Sequence, residues 1–547
     1  MSEAVRQTVM TQMTGGEAVY QTLLASGVDH VFGIVSVHNI PIYDAILRGG
    51  GIKMIDVRHE QGAVHAADGY ARATGKLGVA ITSTGPGATN GMTGLFEAGF
   101  ASSRVLMITG QTETRHYGKG KGVLHEAELQ LPMLRNVTRI TESPRRTRDV
   151  PEALARVIRN IMTGRPQPGA IEIPVDLQYE SVDLEIASLI EGERIEPDAS
   201  AIKTAVKRLG ETGRRFIIAG GGVIRSGASD ELVKLAEALD APVFTTTNGR
   251  GAIPEDHALA GGTFLMACRE AIADADLVLA VGTRFQGGST GNFSLQMPGS
   301  LIHIDADPHM VGLNYSPEVA VLGDAKLSLT AILDSINAVA GDAAFKTRVL
   351  AAAGTARKGV RERMGPDFEL IMDTIRDRLP VEGHIVRDAT VPAYVWGNTL
   401  IPILKPQTSH HTTSAAIGPG LPLAIGAALG TGEKAVVIQG DGGFMLNLSE
   451  LATAVQFKVP VIVCLFNDGG YGVLRRIQGA RFEGRTTGVD LATPDFVKVA
   501  EGIGLKGIAV DSAEAFADAF DTAMATDGPV LLDINMNHLQ PMRMGIG

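Results

Sequence analysis

Ala435-Val436-Val437-Ile438-Gln439-Gly440-Asp441-Gly442-Gly443-Phe444 decides how the chain folds. An apolar, β-branched run stops in Gly-Asp-Gly, and a helical pattern is expected from about Leu448. A strand that is apolar throughout, without alternation, is buried on both faces, as in parallel sheets. The next strand of this kind, 459–466, runs into Asn467-Asp468-Gly469-Gly470-Tyr471-Gly472. Both polar clusters then fall at the carboxyl ends of parallel strands, where open α/β sheets bind ligands. Asp441 and Asn467 carry the hard oxygens that Mg²⁺ prefers, usually shared with a diphosphate. The glycines at 440, 442, 443, 469 and 472 let backbone come close to a ligand, and a following helix N-terminus suits phosphate oxygens. Either cluster alone reads as an ordinary turn, because Asp-Gly and Asn-Asp-Gly are turn formers. Two of them, each after a buried strand, point to a site.

Outward from this stretch the chain separates into three α/β segments. The third has strands expected at 434–439, 459–466 and 530–535. The first has strands expected at 30–34, 53–56, 78–83, 105–109 and 170–174, alternating with helical patterns at 60–73 and 89–102. Strands separated by helices need crossover connections and build a parallel sheet. The second opens on Arg215-Phe216-Ile217-Ile218-Ala219-Gly220-Gly221-Gly222 and continues through Leu277-Val278-Leu279-Ala280-Val281-Gly282 and Leu301-Ile302-His303-Ile304-Asp305. Its glycine cluster lacks the full dinucleotide fingerprint, which speaks against a nicotinamide oxidoreductase. The charged, Pro-flanked stretch 180–197 reads as a linker and 341–364 as a helical connector. The expected fold class is α/β, with three parallel-sheet domains over 1–180, 197–340 and 366–547. The first and third share size and texture, a hint of an old duplication.

Bulk properties narrow the partners. With 547 residues, ~100–200 per domain gives about three domains and a core that needs no staples. The 66 glycines and 5% aromatic content suit many tight βα turns better than a β-sandwich. A net charge of −11 without a long basic run argues against nucleic acid and anionic membrane as partners. Two cysteines, Cys268 and Cys464, are too few for a disulfide framework or a thiolate metal site and fit a reducing cytoplasm. Residues 1–13 are polar, so no signal peptide is expected, and 415–430, the longest apolar stretch, is too short to span a bilayer.

The first segment carries Asp56-Val57-Arg58-His59-Glu60-Gln61-Gly62-Ala63, Asp68-Gly69-Tyr70-Ala71-Arg72, Thr84-Gly85-Pro86-Gly87-Ala88-Thr89-Asn90 and Thr109-Gly110-Gln111. With Gly-Asp-Gly and Asn-Asp of the third segment, these resemble the thiamine diphosphate-dependent enzyme superfamily of acetolactate synthase, pyruvate decarboxylase and benzaldehyde lyase. The resemblance spans nearly the whole chain. It implies pyrimidine-binding, central and diphosphate-binding domains in that order. It also implies that two subunits build each active site, so that the enzyme is a homodimer at least and is expected as a homotetramer. Thiamine diphosphate and Mg²⁺ are the expected cofactors. Asp441 and Asn467 would bind the metal by side chain and Gly469 by its carbonyl, with Asp468 standing where the family often has Asn. Gly440, Gly442, Gly443, Tyr471 and Gly472 complete the diphosphate cluster. In Ala415-Ala416-Ile417-Gly418-Pro419-Gly420-Leu421-Pro422, Ile417 matches the residue that wedges between the cofactor's rings, and the Ala415 carbonyl and Ile417 amide would hold the aminopyrimidine. Glu60 matches the carboxylate that stabilises an imino tautomer of the pyrimidine, so that the ring can take the C2 proton. On its residues alone, Glu60 reads first as a carboxylate enriching a first helical turn; the metal motif of the third segment is what favours catalysis.

The chain also departs from its resemblance. In Arg284-Phe285-Gln286-Gly287-Gly288-Ser289-Thr290-Gly291, Gly288 falls where acetolactate synthases carry a substrate arginine. Ile477 falls where they carry a tryptophan. The Arg-Phe and Thr-Gly pairs, with Ile304-Asp305-Ala306-Asp307-Pro308, leave FAD as the lesser alternative at the central domain. Histidines stand out instead. His38, in Gly33-Ile34-Val35-Ser36-Val37-His38-Asn39, matches the active-site histidine of benzaldehyde lyase, and His125 stands where relatives have a cofactor-facing glutamine. Histidine shuttles protons near neutral pH. His410 and His411 read as loop histidines. The function expected is a C–C bond lyase or carboligase acting on a 2-hydroxy ketone, 2-oxo acid or diketone through a C2-ylide and enamine, with Glu60, His38 and His125 as catalytic residues. An acetolactate synthase-like enzyme or 2-oxo acid decarboxylase is the alternative, and a noncatalytic cofactor-binding homologue the remaining one.

Overall fold

A computed structural model describes residues 10–186 and 192–543. The expected linker thus lies partly outside the described residues, at 187–191, and so does most of the polar N-terminal stretch. Strand β1 (Thr11–Thr14) precedes a six-stranded parallel sheet of β2 (His30–Gly33), β3 (Lys53–Asp56), β4 (Gly78–Thr82), β5 (Val105–Gln111), β6 (Ile140–Glu142) and β7 (Gly169–Pro174), in the order β3-β2-β4-β5-β7-β6. Strand β8 (Ser181–Leu184) pairs antiparallel with β1, Thr11 facing Leu184. The stretch read as a linker therefore opens as a strand. Its Ser-Val-Asp-Leu has the two-residue alternation of a half-buried strand, hidden among the surrounding charges.

The second sheet holds β9 (Arg215–Ala219), β10 (Val243–Thr245), β11 (Ala260–Gly262), β12 (Leu277–Val281), β13 (Ser300–Asp305) and β14 (Val319–Leu322), in the order β11-β10-β9-β12-β13-β14. The third holds β15 (His384–Arg387), β16 (Ser409–His411), β17 (Ala435–Gly440), β18 (Val461–Asn467), β19 (Lys506–Val510) and β20 (Val530–Asn535), in the order β16-β15-β17-β18-β20-β19. All pairings within these two sheets are parallel as well. The fold is α/β with three parallel sheets. Numbered within themselves, the first and third sheets share one strand order, second-first-third-fourth-sixth-fifth, whereas the middle sheet runs third-second-first-fourth-fifth-sixth. The common order gives the suspected duplication a topological basis.

By compactness the chain forms two units. One comprises 1–193 with Ile425–Thr431 and Ala452–Phe457; the other comprises the remainder, with the second and third sheets. In the first unit, Val31, Val79, Ile81 and Ile108 pack on one side of the sheet and Phe32, Ala80 and Met107 on the other. This double burial explains the unbroken apolar runs. Cys268 and Cys464 are both buried thiols, pushed upward from the ordinary thiol value by burial, as core filling requires. Among the described residues, no helix is long and apolar enough to cross a membrane.

The helices Glu60–Thr74 and Pro86–Ala101 enclose one charged cluster. Arg72 pairs with Asp68 and, at 2.9 Å, with Glu97, and both carboxylates are fully buried. Removing one partner of such a group strands the other charges in low dielectric, at about 3–5 kcal/mol. Arg72→Ala is therefore expected to lower the first thermal unfolding transition sharply, read by calorimetry. A shift of under a degree would contradict the burial of the pair.

Candidate active site

In doubly wound sheets, ligands sit outside the carboxyl ends of the strands where the order reverses. In the first sheet that point lies between β2 and β4. The segments leaving these strands carry Ser36, His38 and Ser83. His59 caps the helix that starts at Glu60, its Nδ1 accepting from the Gln61 amide at 3.1 Å. Glu60 is thereby set in the first helical turn, half-buried, and Asn90 Nδ2 donates to its Oε2 at 2.9 Å. A side chain at Gly87 would lie 2.8 Å from Ser83 Cβ and 3.2 Å from Glu60 Oε1, so Gly87 is the spacer between them. Ser83 in turn meets His125 Nδ1 at 3.3 Å. His125 and His38 lie with ring centroids 5.3 Å apart. Glu60, His38 and His125, far apart in sequence, thus form one contiguous group in the first unit. Burial, followed by the neighbouring His125, pushes the His38 imidazole below the ordinary histidine value, against a hydrogen bond to the Leu124 backbone that favours its charged form.

In the third sheet the reversal lies between β15 and β17. Gly440 ends β17 opposite Phe466 of β18, which brings Asp441 beside Asn467. A short helix begins at Asp441 itself and ends at Phe444, earlier than the start expected near Leu448; the next helix is Glu450–Gln456. Asp441 is fully buried; its Oδ1 accepts from the Asp468 amide at 3.3 Å, and its Oδ2 has no hydrogen-bond partner among the described residues. Burial raises its pKa, against the backbone amides that favour the carboxylate. Asp468 is pushed up to about 6 by burial and by the charge of Asp441. Asn467 Nδ2 donates to Asp533 Oδ1 at 3.1 Å, which turns its Oδ1 toward the Gly469 amide, 3.3 Å away. The Gly469 carbonyl accepts from Arg475 Nη2 at 3.1 Å. Gly442 packs against Tyr471, whose ring a Cβ at Gly442 would approach to 2.7 Å, and Gly472 lies against the Asp468 carboxylate. In the preceding loop Ala415 has φ 62° and Gly418 φ 103°, and Ile417 remains 37% exposed although it is large and apolar.

Several residues that hold these loops escaped the sequence reading. Asp388, at the end of β15, accepts from the Gly418 amide at 3.0 Å, the Gly420 amide at 2.8 Å and Gln439 Nε2 at 2.8 Å, and so fastens the Ile417 loop. An acid directly after a short strand was its only signal. Gln130 uses all four hydrogen-bonding positions of its amide. Its Oε1 accepts from the Gly85 amide at 2.9 Å and Thr84 Oγ1 at 2.8 Å, and its Nε2 donates to the Gly110 carbonyl and Glu172 Oε2, both at 3.1 Å. The Gly110 carbonyl can only accept, so it fixes which way that amide points. Gly85, at φ 58°, is needed because a Cβ there would come within 2.6 Å of the His125 carbonyl. Gln130→Ala leaves the buried Gly85 amide unpaired. A loss of about 1–3 kcal/mol, read as a lower first unfolding transition, is expected.

Known proteins match this arrangement over most of its length. Residues 13–133 match the family described as thiamine pyrophosphate enzyme, N-terminal TPP binding domain; 202–332 match its central domain and 392–534 its C-terminal TPP binding domain. The chain belongs to the thiamine pyrophosphate enzyme family. Among curated relatives of this thiamine pyrophosphate enzyme, a probable acetolactate synthase large subunit of Methanocaldococcus jannaschii is 32% identical over 97% of the chain and 93% of its own length. A probable 2-ketoarginine decarboxylase of Pseudomonas aeruginosa is 35% identical over 90% and 88%. The acetolactate synthase large subunit of Corynebacterium glutamicum is 33% identical over 96% and 87%.

Asp441 offers a hard oxygen to a cation. Asp441 Oδ2 is buried and has no hydrogen-bond partner among the described residues, and burial raises the pKa of Asp441, Asp468 and Asp533, while Arg475 pairs with Asp468 at 3.5 Å rather than with Asp441. Among the described residues, no three His, Cys, Asp or Glu side chains converge on a cation position. A hard cation bound beside Asp441 would have to draw on amide or carbonyl oxygens of the kind Asn467 and the neighbouring backbone carry. At the central domain, Phe285 of the Arg-Phe pair is buried edge-on against His303 and Tyr315.

Proposed function

We propose that this thiamine pyrophosphate enzyme breaks or forms a C–C bond next to a carbonyl in a 2-hydroxy ketone, 2-oxo acid or diketone. The observation that carries the reading is the His38–His125 pair, joined through Ser83 and Gly87 to Glu60 at one sheet edge. Asp441, Asn467 and the Gly469 carbonyl would hold Mg²⁺. Gly440, Gly442, Gly443, Tyr471 and Gly472 would line the diphosphate, with Ala415 and Ile417 at the rings. When bound, thiamine diphosphate supplies the carbon nucleophile and the electron sink for the bond that breaks. Glu60, oriented by Asn90, holds a proton at the pyrimidine. His38 and His125 take and give protons at the substrate oxygen. The pyrimidine-binding, central and diphosphate-binding domains over 1–180, 197–340 and 366–547 would pair across two subunits to complete each site, in a homodimer or homotetramer.

A 2-oxo acid decarboxylase is the second reading, favoured by the 35% identity to a probable 2-ketoarginine decarboxylase. Acetolactate synthesis is disfavoured by Gly288 and Ile477. A side chain at Gly288 would meet nothing within 4 Å, so space does not account for the missing arginine. Proton NMR of the enzyme with thiamine diphosphate and Mg²⁺, given pyruvate, other 2-oxo acids or a panel of acyloins, separates the readings, with Glu60→Gln as control. Acyloin cleavage to aldehydes without CO₂, absent from the control, supports the lyase. CO₂ release from a 2-oxo acid with no acyloin cleavage replaces it with the decarboxylase, and acetolactate from pyruvate overturns both.

A further inference from the structure

We infer that Ser36 and Ser83 form a one-directional hydrogen-bond chain that holds neutral His125 as its Nε2–H tautomer, so that His125 presents a hydrogen-bond donor and His38 an acceptor at the substrate oxygen. The division of roles rests on the proposed chemistry; the tautomer does not.

Direction is set at the Ser36–Ser83 contact, where Ser36 is the donor. The His38 amide can only donate, and it donates to Ser36 Oγ at 3.1 Å. The Ser36 hydroxyl passes its own proton to Ser83 Oγ at 2.8 Å. Ser83 is buried, and the partner left for its proton is His125 Nδ1 at 3.3 Å. If Nδ1 carried the hydrogen, Ser83 would accept twice, and its own O–H would be buried without an acceptor, at a cost of about 1–3 kcal/mol. A neutral imidazole that accepts at Nδ1 carries its hydrogen on Nε2. The backbone around the chain is fixed. Thr109 Oγ1 donates to the Ser83 carbonyl at 2.7 Å, Gln178 Nε2 donates to the His38 carbonyl at 2.8 Å, and His125 sits at φ 57°.

His38 completes the division. Its Nδ1 is buried without a hydrogen-bond partner among the described residues, so it is available to accept. Burial, followed by the neighbouring His125, lowers its pKa and favours the neutral form that can accept. Ser36 and Ser83 are positioning residues: they act on substrate only through His125.

The test is the ring-nitrogen NMR of the full chain, labelled with ¹⁵N at histidine and recorded above the imidazole titration range, with His125→Gln identifying the resonance. The wild type is expected to show an unprotonated Nδ1 and a protonated Nε2 at His125. Ser83→Ala, which removes the donor, should give a mixture of tautomers, Ser36→Ala a smaller change in the same direction, and Ser83→Thr should restore the wild-type pattern. In turnover, Ser83→Ala should lower kcat on the order of 10-fold, part of the 10²–10³ lost when an oriented donor to a developing oxyanion is removed outright, with little change in KM. An Nδ1–H tautomer in the wild type, or an unchanged tautomer in both alanine variants, overturns the inference. The expected tautomers in an enzyme that cleaves none of the substrates would leave the chain standing and sink the proposed chemistry instead.

Discussion

Glu60→Gln is expected to lower kcat by roughly 10²–10⁴-fold, the range that a positioned general acid–base group contributes. The glutamine keeps the side chain's length, and its amide oxygen can still accept from Asn90 Nδ2. It cannot exchange a proton at neutral pH. Because the geometry is kept, the unfolding transition should barely move, and the cofactor should bind within a few-fold of wild type. The measurement is kcat at saturating cofactor and substrate beside a thermal melt. A variant within about fivefold of wild-type kcat would return Glu60 to the role of a first-turn carboxylate at a helix N-terminus.

Asp441→Ala is expected to weaken cofactor and metal binding by at least about 100-fold. Its buried Oδ2 has no hydrogen-bond partner among the described residues, and the carboxylates around it raise rather than lower one another's pKa. A buried group in that state seeks a cation. Ligand binding stabilises by RT ln(1 + [L]/Kd). At cofactor and Mg²⁺ near 100 times the wild-type Kd, the wild type should gain about 2.7 kcal/mol, and a variant bound 100-fold more weakly about 0.4 kcal/mol. Differential scanning calorimetry with and without thiamine diphosphate and Mg²⁺ reads the difference. Equal shifts in the two proteins would remove Asp441 from the metal site.

What the sequence could disclose depended on how local the signal was. The parallel sheets were legible because β4, β5, β12, β17 and β18 are long apolar runs buried on both faces, and because helices separate them. The two polar clusters of the third sheet were legible because turn glycines and oxygen ligands stand next to each other in the chain. Short strands left weaker traces. β10 and β11 span three residues each, and β8 hides its alternation in a charged stretch. The supporting residues left almost none. Asp388 acts on amides 30 and 32 residues away, Gln130 on Gly85 and Glu172, and Ser83 on Ser36 and His125. Ser, Gln and Asp are ordinary loop residues, and only tertiary placement distinguishes those that orient a site. The gathering of Glu60, His38 and His125 at one sheet edge is likewise a product of topology, since three different crossovers bring them there.

The most direct test of the account is the exchange of the thiamine C2 proton with D₂O on the enzyme, read by proton NMR after acid quench, because it needs no substrate. The account predicts exchange at least about 100-fold faster on the wild-type protein than in free cofactor, and a return toward the free rate in Glu60→Gln. Exchange no faster on the wild type than in solution, or equally fast in the variant, would contradict it.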